Sequence, residues 1–220
     1  MIHRLPSSLI LVALLAAPAA AQPIVIDDFS TNSSLLFLTA TGTATALADG
    51  AGILQTERNL RISGSSFGGG ASIDVEVTSG AMVFTRTASL SSGTIELWWD
   101  GDNNVTTFNA TGLGGVNLTA GGQDRFVITV NSSTDTSSLM GLQVWTDGTN
   151  RSEHTFTLPG AGGTVTLPYA SFVNTGGTGA NFSNVGAIFL RTADDGSGVW
   201  VASIEDIRTQ PVELLSFEVD

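Results

Sequence analysis

The chain has 220 residues, no cysteine and no lysine, and its eight arginines stand against twenty acids for a net charge of −12. That balance excludes the basic footprint that nucleic acid or an anionic lipid surface requires. Without cysteine no disulfide can staple the fold, so packing must hold together what the length suggests is one large domain.

Residues 1–21 have the three parts of a secretory signal. Arg4 charges the first part, Leu9 to Ala17 form a short apolar run, and Pro18 precedes the small residues Ala19 and Ala21. The spacing predicts cleavage before Gln22, and the apolar run is shorter than the ~20 residues of a spanning helix. The mature protein is therefore expected to be secreted, extracellular or at the cell surface, with no membrane insertion after cleavage.

Residues 22–209 then punctuate like an all-β domain. The opening VIDDFS reads as a first strand. ASIDVEV places Ile73, Val75 and Val77 on one face and Ser72, Asp74 and Glu76 on the other. In IELWWD, the face of Ile95, Leu97 and Trp99 alternates with that of Glu96, Trp98 and Asp100. RFVITVN offers Phe126, Ile128 and Val130 to a core, and LMGLQVW offers Met140, Leu142 and Val144. NVGAIFLRT and VWVASIEDI read as two late strands. Period-two alternation with no helical period predicts an antiparallel β-sandwich of the jelly-roll type, with roughly ten strands. Asp-Gly pairs at 49, 100, 147 and 195 supply turn chemistry. Thr106 to Gly122 reads as a long surface connection, and 210–220 as a C-terminal tail or the start of a further region.

Catalytic chemistry finds little footing. His154 is the only histidine after the signal, no Gly-x-Ser-x-Gly turn occurs, and no carboxylate pair is singled out by spacing. The chain is read as a non-enzyme. GLGGVNLTAGG lacks the lysine of a phosphate loop. DGDNN presents Asp100, Asp102 and Asn104 like the first half of a calcium loop, but Val105 and Thr111 stand where that loop has its glycine and glutamate. A solvated hairpin tip is the plainer reading.

The tryptophans carry more. Trp98, beside Glu96, and Trp145, beside Gln143, fall on the non-core faces of two strands. A flat ring flanked by hydrogen-bonding groups is suited to stacking and orienting sugars. Both rings are expected to be exposed, as platforms for a polysaccharide or cell-surface glycan.

VIDDFS, LPYASF, NFSNVGAIFL and ASIEDI, in that order, resemble the β-jelly-roll carbohydrate-binding modules of the galactose-binding-like class. The resemblance implies a non-catalytic polysaccharide-binding module. It also implies a structural calcium where the first and last strands meet, with Asp27 or Asp28 and Glu205 or Asp206 as ligands. TERNLRI, WWDGDNN, GLGGVNLTAGG and FSNVGAI are similar to segments of secreted bacterial proteins of the PEP-CTERM-associated type. The alternative function is a structural or adhesive surface protein with no specific small ligand.

Overall fold

The computed structural model describes residues 21–87, 90–192 and 198–211. The signal segment, the Asp195-Gly196 turn and the end of the tail lie outside the described residues. Fourteen strands form among those described: β1 Val25–Asp27, β2 Ser33–Leu38, β3 Gly42–Asp49, β4 Glu57–Phe67, β5 Ile73–Thr78, β6 Ala81–Arg86 and β7 Leu90–Trp99. After a long connection come β8 Gln123–Ser133, β9 Leu139–Trp145, β10 Arg151–Thr157, β11 Gly163–Pro168, β12 Val173–Gly176, β13 Ala187–Thr192 and β14 Trp200–Pro211.

They build the expected antiparallel sandwich. The first sheet runs β11-β8-β14-β6-β5-β2, with β1 also paired to β14, and the second runs β12-β10-β9-β13-β7-β4-β3. The predicted inward faces meet between the sheets. Ile73, Val75, Val77, Ile95, Leu97, Trp99, Phe126, Ile128, Val130, Met140, Leu142 and Val144 all belong to one buried cluster. Val75→Ala or Ile128→Ala, each at a fully buried position, is expected to cost about 1–4 kcal/mol through lost burial and a cavity. An unchanged denaturation midpoint would count against this packing.

The turns depart from the Asp-Gly expectation. Asp147-Gly148 does close the β9–β10 hairpin, where the Asp147 carboxylate accepts the Thr149 and Asn150 N–H groups at 2.8 Å. Asp100-Gly101 instead opens the connection from β7 to β8, so no hairpin tip forms there. The tightest hairpin, β5–β6, turns on Ser79 and Gly80, both at positive φ (53° and 77°) as a two-residue turn of that kind demands. The long connection is not merely superficial. Leu113 and Leu118 are buried, and Val116 bridges to Val185.

Candidate functional site

Alternation along β7 and β9 sends Glu96, Trp98, Gln143 and Trp145 to the outer face of the second sheet, and β13 lies between those two strands. The register makes this face a set of rows. Asn59, Trp98, Phe189, Gln143 and Glu153 stand side by side across β4, β7, β13, β9 and β10. The next row holds Arg61, Glu96, Arg191, Gly141 and Thr155, and on the other side Trp145 pairs with Arg151. All four sequence-selected ligand candidates thus share one face.

Polar bonds knit it. Arg61 Nε donates to the Glu96 carboxylate. Arg191 Nη2 donates to Glu153 Oε1 at 3.1 Å, and Gln143 Nε2 to Glu153 Oε2 at 3.0 Å. Trp145 Nε1 donates to Gln143 Oε1 at 3.1 Å. Arg61 and Arg191 remain about a third exposed. Beyond Glu153 the face meets a depression of about 300 Å³ lined by Glu153, His154, Thr155, Ser171, Val173 and Thr175. His154 Nδ1 lies 3.0 Å from the Ser171 carbonyl, and its ring packs on Phe172.

The expectation that Trp98 is exposed is corrected. It points outward, apart from the core cluster that holds Trp99, yet only 1% of it reaches solvent. Phe189 stacks beside it with ring centroids 6.0 Å apart, and the Arg61 guanidinium lies over the indole at 5.1 Å. Long neighbouring side chains roof a flat ring on a sheet, which alternation along one strand does not register. Trp145 stays half-buried, with Phe108 of the long connection edge-on at 5.3 Å.

The calcium expectation fares differently at each residue. The first and last strands do meet, with Asp27 opposite Ile207. However, Asp27 turns inward and is fully buried. Its carboxylate takes two bonds from Arg58 Nη1 at 2.9 Å, one from Trp99 Nε1 at 2.9 Å and one from the Phe29 N–H at 2.8 Å. With its cation already supplied by arginine, Asp27 does not fit a calcium ligand. Burial pushes this carboxyl upward even against the pull of Arg58 and Trp99. Asp28 Oδ1 accepts the Ser30 N–H, Asp206 is engaged by Thr129 and Arg208, and Glu205 is exposed. Among the described residues no three acids or histidines converge as a metal cradle.

Sequence reading missed an acidic corner at the end of the same face. Asn59 Nδ2 donates both to Glu57 Oε1 at 2.6 Å and to Asp100 Oδ1 at 3.2 Å, and all three residues are buried. The Asn109 N–H closes on Asp100 Oδ2 at 2.7 Å. Gly112 allows this closure, because a Cβ there would lie 1.8 Å from the Asp100 carbonyl oxygen. Burial, with added repulsion from Asp102 and other acids nearby, raises both the Glu57 and Asp100 carboxyls. A carboxyl raised by folding binds its proton more tightly in the folded state, so protonation stabilises the fold. Lowering pH from neutral through the raised range should therefore add stability from this corner. The added stability is lost again as pH rises. Thermal midpoints measured against pH are expected to show a shallower slope in Glu57→Gln, and parallel slopes would contradict this account.

No family model matches the chain, and no curated protein does. Among solved structures it is similar to a family 11 carbohydrate-binding module from Clostridium thermocellum in complex with a β-1,3-1,4-mixed-linked tetrasaccharide (13% identity, 88% of this chain and 98% of that one, TM-score 0.45). It is also similar to a family 29 carbohydrate-binding module complexed with mannohexaose (10% identity, 78% and 94%, TM-score 0.34). A third is an agarase, matched over 86% of this chain and 24% of that one at 9% identity and TM-score 0.45. Two of these three are carbohydrate-binding modules. None bears on the resemblance to PEP-CTERM-associated proteins.

Proposed function

We propose that this chain is a secreted, non-catalytic polysaccharide-binding module whose site is the outer face of the second sheet. The observation that carries the reading is the convergence of Glu96, Trp98, Gln143 and Trp145 on one face, bound together by Arg61, Arg191 and Glu153. Half-exposed planar and hydrogen-bonding groups spread over adjacent strands match the repeating hydroxyls and flat faces of a sugar chain. In this reading Trp98 is the buried base of the site, and Trp145 and Gln143 are its contact groups.

Retention on a panel of insoluble polysaccharides and mobility in polysaccharide-loaded gels test it. Trp145→Ala is expected to weaken binding by about 1–3 kcal/mol, the range for removing an aromatic contact surface, with the fold intact. Full retention by this variant would remove the face from consideration. A structural or adhesive role is the second reading, favoured by Leu35 and Phe37, which lie more than half exposed on edge strand β2. Self-association abolished by charging those two positions would support it.

A further inference from the structure

The arginines of so acidic a chain should all be claimed by carboxylates, and most are. Arg58 meets Asp27, Arg61 meets Glu96, Arg125 meets Asp124, Arg191 meets Glu153 and Arg208 meets Asp206. Arg86 is buried, with its guanidinium over Trp200 and its Nη2 donating to Ser138 Oγ. Arg151 differs from the five paired arginines. No carboxylate lies within ion-pair reach of it among the described residues, and its Nε, like those of Arg58 and Arg191, is buried without an acceptor.

Nor is Arg151 a loose surface side chain. Its guanidinium carbon stands 4.6 Å from the Trp145 ring centroid. Its stem runs against the backbone of Gly176, its neighbour on β12, where a Cβ would come within 3.0 Å of the Arg151 Cγ. Indole below and glycine beside hold the fork in place, so little rotamer freedom remains to be lost on binding. The guanidinium also takes a face of the Trp145 ring, so a ligand arriving there meets a planar cation as well as an indole.

We propose that Arg151, seated on Trp145, is a subsite for the anionic group of an acidic polysaccharide, a carboxylate or a sulfate ester. This rests on the polysaccharide-binding reading above and names its ligand class. A guanidinium fork matches two oxygens of either group. The Gln143 amide, bonded to Trp145, and the Arg191–Glu153 pair provide the hydroxyl-binding surface alongside. The net charge of −12 makes the subsite easy to read, because such a chain is repelled by polyanions in general and retention reports a specific contact.

The experiment is gel mobility of the protein in polygalacturonate, in dextran sulfate and in two neutral polymers, mixed-linkage β-glucan and agarose. Retardation is expected on a polyanion, and which of the two polyanions retards the protein separates the carboxylate from the sulfate. Arg151→Gln is expected to weaken that retardation about tenfold or more, the loss of a charge-assisted bond, at an unchanged thermal midpoint. Should Arg151→Gln melt early, Arg151→Lys keeps a packed stem and a charge without the fork, and is expected to bind less tightly than the native protein. Equal retardation of native and variant proteins overturns the proposal. Retardation on the neutral polymers alone overturns it too, while leaving the polysaccharide reading standing. Retardation on none of the four overturns both.

Discussion

Arg58→Met is expected to destabilise the fold by about 3–5 kcal/mol, because it leaves the Asp27 carboxylate buried without its cation. Asp27 and Arg58 are both fully inaccessible to solvent, and two of the four bonds to the carboxylate come from this one guanidinium. Arg58 Nη2 also donates to the Thr31 carbonyl at 2.6 Å, so the chain after β1 loses an anchor as well. For a domain of this size the loss corresponds to a fall in thermal midpoint on the order of 10 °C. Combining Arg58→Met with Asp27→Asn removes the stranded charge and should recover part of the deficit. Chemical denaturation of the single and double variants measures this. A single variant as stable as the native protein would mean that water reaches Asp27.

The neighbouring tryptophans should each cost about 3–5 kcal/mol when cut to alanine, since both are buried. Phenylalanine is expected to tell them apart. Trp99 Nε1 is one of the four donors holding Asp27, whereas Trp98 Nε1 has no acceptor among the described residues. Trp99→Phe therefore strips a bond from a buried carboxylate, at about 1–3 kcal/mol beyond the lost ring volume. Trp98→Phe keeps the aromatic contact with Phe189 and forfeits no bond, so it should be the milder change by that margin. Equal effects of the two phenylalanine variants would contradict the hydrogen-bond assignment.

Faces were more legible in the sequence than surroundings. Every inward residue read from β5, β7, β8 and β9 lies in the core, because alternation is a property of a single strand and can be read along it. Strand β4 escaped notice since ERNLRISGS looks polar, yet Arg58, Asn59 and Glu57 are all buried there, Arg58 bonded to Asp27, Asn59 to Asp100 and Glu57 to Asn59, and two of these three partners are distant in the chain. The same non-locality hid the roof over Trp98, which comes from β4 and β13, and the inward turn of Asp27 toward a strand thirty-one residues away. That Trp98 and Trp145 share a face depended on β13 passing between β7 and β9, an order of strands that no local pattern encodes. Arg151 drew no attention in the sequence for a related reason. That no carboxylate stands within reach of Arg151 among the described residues is visible only once the strands are placed side by side.

The place of β14 in the first sheet bears on how the molecule comes into being. Trp200–Pro211 lies between β8 and β6 and also receives β1, so the last described strand joins three segments made much earlier. Until it arrives, β6 and β8 each offer an open edge of unpaired amides and carbonyls. Closing the sheet brings together segments well over a hundred residues apart, a slow, non-local step in folding kinetics. A nascent chain emerging from the ribosome could not complete this sandwich before β14 had been synthesised. During that interval the open edges of β6 and β8 are sites where another chain could pair, so this stage of folding is the one most exposed to aggregation.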